Sequence, residues 1–187
     1  MKRNEIRTYG DPILRKTAEQ VTEVDAGIKA LADQMLTDMY EGNGIGLAAE
    51  QIGRTEAICV IDIPSDADLD AQQQPANPNV KMPLVMINPE VVESSEQKMT
   101  REEGCLSFPG IYAGILRPER VKVRYLDRDG VAQQAQVQGL LACAMQHEID
   151  HLNGVLLLDR MSQVKKIALS GKLKRLRKKT QQAMRVM

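Results

Sequence analysis

Apolar positions recur at helical spacing through residues 25–41, at Ile28, Leu31, Ala32, Met35, Leu36 and Met39. That spacing predicts an amphipathic helix, with Asp25 placed to cap its start and Gly42-Asn43-Gly44 to end it. Residues 56–63 are apolar and β-branched and predict a buried strand. Residues 64–83 are rich in Gln, Asn, Asp and Pro and predict a mobile surface loop. Residues 84–87 and 91–96 predict two short strands around Asn88-Pro89. Residues 120–126 alternate, Asp129-Gly130 supplies a hairpin turn, and residues 131–138 return. Residues 139–152 predict an apolar helix with polar residues gathered at its end. Ser162 is placed to cap a last helix, with Gly171 a weak point inside it. Helices alternating irregularly with antiparallel strands predict an α+β fold, one domain over residues 1–187 with no dividing linker.

Composition narrows the class. The chain has 187 residues, of which 43% are hydrophobic, enough to bury a core. Four Tyr, one Phe and no Trp give too little π-surface for a base-stacking platform. Three Cys are too few for a secreted disulfide framework. The start Met-Lys-Arg-Asn-Glu leads into no apolar signal segment, and the apolar runs 140–145 and 155–158 fall far short of the ~18 residues of a membrane span. The expectation is a reduced, cytoplasmic protein without a membrane partner.

Charge is balanced overall, with 25 basic and 25 acidic residues, but not along the chain. Residues 161–187 hold nine of the Lys and Arg and no acid, so residues 1–160 carry 16 basic against 25 acidic residues. Such a tail can bind a polyanion or be the solvated face of a terminal helix.

The only two histidines are His147 and His151, with Glu148 beside the first. Positions i and i+4 share one helix face, so both imidazoles can reach one metal ion, and the Glu can reach a water at that metal. By chance this pattern arises in roughly 0.1% of such chains. A third ligand is needed, and neither Glu nor His follows His151, so it must come from upstream. Cys59 and Cys143 lie among apolar neighbours and read as buried hydrophobes. Cys105 lies in Glu103-Gly104-Cys105-Leu106-Ser107, where Gly104 permits close backbone approach. A Cys-His-His set leaves a fourth position for water, the pattern of a catalytic site, and suits iron or zinc better than magnesium or calcium. The segment Gly44-Ile45-Gly46-Leu47-Ala48-Ala49-Glu50-Gln51 lacks the Gly-Lys-Ser/Thr of a phosphate loop. It reads as a strand-like stretch open to an extended ligand backbone, with Gln51 able to offer its amide to an oxyanion.

These three segments together resemble the peptide deformylase family. Its Gly-x-Gly-Leu-Ala-Ala-x-Gln is matched by Gly44, Gly46, Leu47, Ala48, Ala49 and Gln51. Its Glu-Gly-Cys-Leu-Ser is matched by residues 103–107, and its Gln-His-Glu-x-Asp-His-Leu-x-Gly by Gln146, His147, Glu148, Asp150, His151, Leu152 and Gly154. The resemblance covers nearly the whole chain. Two departures stand out: the 64–83 loop is long for the family, and Tyr112 occupies a place where some bacterial members carry an Arg that holds the far end of the substrate.

The resemblance implies antiparallel and mixed sheets packed around a central metal-binding helix, with a C-terminal helix. It implies a hydrolase that removes the formyl group from N-formyl-methionyl nascent peptides and releases formate. Cys105, His147 and His151 are then the metal ligands, for one divalent ion with iron(II) expected natively and zinc, nickel or cobalt accepted. Glu148 is the general base, and Gln51 with the Leu106 backbone N–H holds the oxyanion. Ile45, Leu140 and Cys143 are expected to line a slot for the methionine side chain, and backbone at Ile45, Gly46 and Gly104 to pair with the peptide. Gln146 and Asp150 are read as supporting groups, and Glu103 as a partner of Arg117. The basic tail implies docking on ribosomal RNA, and the protein is expected to be a monomer. The competing readings are a metallopeptidase using the same helix, a closed structural metal site, and a nucleic-acid binder centred on the tail.

Overall fold

The computed structural model describes residues 5–185. After a 3-10 turn at Pro12–Arg15, helix α1 spans Ala26–Glu41. Asp25 caps it, its carboxylate accepting from the Ile28 N–H at 2.8 Å. Chain reversal follows at Asn43, which takes a left-handed conformation with φ +55°. Strand β1, Gly46–Ala48, runs into a 3-10 turn at Ala49–Ile52, and β2 follows at Ile58–Ile61.

Strand β3, Leu84–Ser94, is one strand where the sequence predicts two. Asn88-Pro89 is absorbed as a bulge. Against the later strand β6 the register moves from Ile87 opposite Leu126 to Glu90 opposite Arg124, and Asn88 sits at φ +52°. Bulging lets Pro89, which has no N–H to give, stay in the strand. The Asn88 amide is tied to Val21 in both directions, at 2.9 and 2.8 Å.

Strands β4, Lys98–Gly104, and β5, Tyr112–Pro118, form a two-stranded antiparallel sheet that the sequence pattern did not predict. Strands β6, Arg120–Leu126, and β7, Ala132–Gln138, form the expected hairpin, with Gly130 at φ +82° in its turn. Helices α2, Gly139–Leu152, α3, Leu157–Arg160, and α4, Gln163–Met184, complete the chain. Ser162 caps α4, and Gly171 does not interrupt it.

The larger sheet has the order β1-β2-β3-β6-β7, all antiparallel. Its two faces are both covered, which follows from strand alternation. Ile58, Val60, Val85 and Ile87 pack with Ala32, Met35 and Met39 of α1. The alternate residues Cys59, Ile61, Leu84 and Met86 pack with Leu141, Met145, Ile149 and Leu152 of α2. Eleven of the 14 residues of α2 are buried, so this helix is the centre of the molecule, as expected. Leu141 and Met145 are fully buried, each stabilising the fold by about 1.5–3 kcal/mol.

A third cluster joins Ala113 and Ile115 of β5 to Phe108, Leu14, Leu156, Leu157, Met161 and Leu173. Helix α4 docks through this cluster and through a 2.6 Å hydrogen bond between the Thr8 and Thr180 hydroxyls. Its cations Lys172, Lys174, Arg175, Lys178 and Lys179 face outward. The 64–83 stretch carries no helix or strand of the main sheets, but it is anchored. The Asn77 side chain donates to and accepts from the backbone of Gln138 at 3.0 Å each, where α2 begins. No helix among the described residues is long and apolar enough to cross a membrane.

Candidate active site and metal centre

Helix α2, the turn after β4, and β1 with the 3-10 turn that follows it deliver the site. Helix α2 presents His147 and His151 on one face, one turn apart, with ring centroids 5.1 Å apart. The turn after β4 delivers Cys105. Its Sγ lies 3.2 Å from His151 Nε2. One donor atom from each of Cys105, His147 and His151 lies within 4.8 Å of the other two. A metal bound at about 2.0–2.1 Å to nitrogen and 2.3 Å to sulfur needs donors about 3–4 Å apart; the 3.2 Å Cys105–His151 spacing meets this, and the 4.8 Å limit on the whole set leaves a small side-chain adjustment to close around one ion. It offers thiolate and imidazole only, a borderline-soft set.

The two imidazoles are held differently. His147 Nδ1 faces Glu103 Oε2 at 2.9 Å, which aims its other nitrogen at the set. His151 Nδ1 is buried without a partner. Burial disfavours charge on His147, yet hydrogen bonds to Cys105 and Glu103 outweigh it and hold its pKa well above the ordinary value. Burial, with His147 and Arg117 nearby, holds His151 well below. A cation held by these donors would displace the His147 proton, so its affinity would fall as pH falls.

Glu103 is itself anchored. Arg117, 3% exposed, donates to both of its oxygens at 2.6 and 3.0 Å and to Asp150 Oδ2 at 2.8 Å. Arg160 donates to Asp150 as well, at 3.0 Å. Burial would raise the Glu103 pKa, but the His147 and Arg117 hydrogen bonds keep it below the usual range. The Glu103–Arg117 pair read from the sequence is therefore present, and it extends to a chain from His147 through Glu103, Arg117 and Asp150 to Arg160. Gln146 ties α2 to the end of β5, donating to the Pro118 carbonyl at 3.1 Å and back to the Ala142 carbonyl of its own helix at 2.9 Å.

Glu148 stands on the cleft side of α2. Burial, more than any neighbour, pushes its pKa up to about 7, and its Oε2 has no partner. Such a carboxylate is poised to take and return a proton near neutrality. Gly46 makes room for it. A Cβ at Gly46 would overlap Glu148 Oε1 and come within 2.9 Å of its Cδ. Gly46→Ala is therefore expected to displace the carboxylate and lower kcat about 100-fold with metal content unchanged. A kcat within twofold of wild type would contradict this placement.

Gln51 is 2% exposed and fixed at both ends of its amide. Its oxygen accepts from the Ala48 N–H at 2.8 Å, and its nitrogen donates to Ser107 Oγ at 3.2 Å and lies 3.5 Å from Cys105 Sγ. Leu106, next to Cys105, packs over Gly44, whose added Cβ would meet it at 2.9 Å. A cavity of about 450 Å³ opens beside the set. Ile45, Gly46, Gln51, Gly104, Leu106, Leu140, Cys143, His147 and Glu148 all line it, together with Cys105. His151 lies behind it, 1% exposed.

Tyr112, named from the sequence as a departure from the family pattern, lies over Gly104, where a Cβ would be 2.7 Å from its ring. Two residues here were not found from the sequence. Arg101 lines the cavity two residues before Glu103 on the same strand face. Glu50 is fully buried, with both carboxylate oxygens unpartnered, and burial pushes its pKa up to about 8. A carboxyl in that range is mostly protonated at neutral pH. The strand alternation that marks Arg101 was hidden because β4 is polar on both faces.

A thiol and two imidazoles converging beside a buried carboxylate, in a cleft between two sheets, define a metal-dependent hydrolase. The comparisons carry the assignment further. The sequence model for "Polypeptide deformylase" matches residues 3–167. A peptide deformylase of Mesorhizobium japonicum is 47% identical over 168 residues, covering 90% of this chain and 89% of that one. One of Endomicrobium trichonymphae is 45% identical, covering 95% and 98%. Among solved structures, the Thermotoga maritima peptide deformylase superposes with a TM-score of 0.76 at 39% identity, covering 87% of this chain and 99% of that one. The Ehrlichia chaffeensis enzyme gives 0.82 at 37% identity, covering 93% and 96%. The chain belongs to the peptide deformylase family, metal-dependent hydrolases that remove the N-formyl group from nascent peptides. The metallopeptidase reading is not favoured.

Proposed function

We propose that Cys105, His147 and His151 hold one divalent metal ion, natively iron(II), with zinc, nickel or cobalt as substitutes. The observation that carries this reading is the three donor atoms within 4.8 Å of one another. When bound, the ion supplies Lewis acidity and lowers the pKa of water. Glu148 accepts the proton of the attacking water and later returns it to the leaving amine. The Gln51 amide N–H and the Leu106 backbone N–H donate to the formyl oxygen as it gains charge. Gln51 suits this role because its carbonyl is pinned to Ala48, which holds the amide in place, and the N–H facing Cys105 Sγ is the one that turns to the substrate.

Ile45, Leu140 and Cys143 shape the recess for the first side chain. Backbone at Ile45, Gly46 and Gly104 pairs with the peptide as an added strand. Support for this comes from sheet order: β1 and β4 each have a neighbour on one side only. The small space around Gly46 favours formyl over larger acyl groups. The test is anaerobic assay of the metal-loaded protein on a formyl-methionyl tripeptide, its acetyl analogue and a peptide blocked at both ends. Formate release from the first alone is expected; cleavage within the blocked peptide would contradict the proposal.

The outward cations of α4 are proposed to dock on ribosomal RNA, in a cytoplasmic protein that acts as a monomer. Support comes from nine basic and no acidic residues over 161–187, of which 186 and 187 lie outside the described residues. Salt-sensitive co-sedimentation with ribosomes, lost when Lys172, Lys174, Arg175 and Lys178 are neutralised, is expected. Co-sedimentation unaffected by those changes would contradict it.

A further inference from the structure

The recess assigned to the first side chain is not wholly apolar. Arg101 lines the cavity together with Leu140, Cys143 and Ala144. It lies on β4, whose residues alternate between exposed and half-buried, and it shares the half-buried face with Met99 and Glu103. Glu103 reaches His147 from that face, so Arg101 points toward the same helix one step further along the strand. Its charge is felt at the Cys143 thiol on α2. Glu102, next in sequence, stands on the exposed face, and Glu103, the nearest acid on the same face, is already engaged by Arg117 and His147. The Arg101 Nε is buried and donates to nothing.

A buried donor without an acceptor is costly, and a guanidinium offers five N–H groups in a fixed fork. With the Nε closed off from solvent, an acceptor brought in by the ligand would meet the outer N–H groups of that fork, on the residue that lines the recess. An aliphatic residue here would complete a greasy slot; an arginine leaves a cationic donor at its wall. The thioether of methionine is a weak acceptor, whereas the sulfoxide oxygen of oxidised methionine is a strong one on a side chain of the same length.

We propose that Arg101 is a specificity-determining residue that donates to the end of the first side chain, so that the enzyme accepts formylated chains beginning with methionine sulfoxide. This rests on the deformylase reading of the site and on the recess assigned above. Selectivity then comes from substrate binding in the recess, and the chemistry at the formyl group is untouched. Sites built to hydrogen-bond a ligand group discriminate strongly against analogues lacking it.

The experiment compares kcat/KM on tripeptides beginning with formyl-methionine, formyl-methionine sulfoxide and formyl-norleucine. Wild type, Arg101→Leu and Arg101→Gln are each measured, with thermal melts as a check on folding. Arg101→Leu is expected to shift the sulfoxide-to-norleucine ratio about tenfold or more toward norleucine, mainly through KM. Arg101→Gln, which keeps a neutral donor, is expected to fall between. A ratio unchanged within twofold, with wild type active on formyl-methionine, overturns the role of Arg101. Equal losses on all three substrates overturn it too, because that is a structural effect. Wild-type protein that releases formate from none of them overturns the deformylase reading and this inference with it.

Discussion

Glu148→Ala is expected to lower kcat roughly a thousandfold or more while leaving metal content and KM near wild type. The expectation follows from where the carboxylate sits. It is adjacent in sequence to His147 but is not one of the three converging donors, so its removal does not dismantle the set. Its Oε2 has no partner, and burial sets its pKa at about 7, so no structural ion pair is lost with it. Removing a buried, unpartnered carboxyl should not destabilise the fold; a melt at or above that of wild type is the accompanying result. Metal analysis beside steady-state kinetics checks all three. An active variant would remove Glu148 from proton transfer, and a metal-free one would make it a ligand.

Arg117→Ala is expected to cost about 3–5 kcal/mol of stability, because it strands one buried charge and weakens a second. Arg117 alone holds Glu103 against burial on the side away from His147, while Asp150 keeps Arg160. For a chain of this size the loss corresponds to a fall in Tm of about 6–20 °C. Activity should fall as well, since Glu103 orients His147. The double variant Arg117→Met with Glu103→Gln should regain part of the stability, because it removes the stranded carboxylate. A single-variant loss below about 1 kcal/mol would show that the network is solvated and of little consequence.

Much of this site is visible in the sequence because the chemistry is local. Two histidines four apart on a helix face one way whatever surrounds them, and the helix over 139–152 is marked by its own apolar residues. Glu103-Gly104-Cys105 and Gly44–Gln51 were recognisable because each is a contiguous segment. What escaped depends on pairing across distance. Strands β4 and β5 went unassigned because neither carries a clear apolar run: β4 has no fully buried residue, and β5 carries Gly114 and ends in Pro118. Without that sheet nothing in the sequence places Arg101 in the cleft or Asp150 beside Arg117. Pro89 read as a break between strands because a bulge is decided by the neighbouring strand and by the Asn88–Val21 bonds, 67 residues apart. Glu50 is the reverse case: a charged residue in a motif is expected at the surface, and tertiary packing buries it.

The account stands most directly on the ligands of one metal ion, and X-ray absorption on anaerobically loaded protein reads them. The predicted spectrum is one sulfur at about 2.3 Å, two imidazole nitrogens at about 2.0–2.1 Å and one exchangeable oxygen, with the sulfur lost in Cys105→Ser. A shell without sulfur in the wild type, or a sulfur that survives Cys105→Ser, would contradict it.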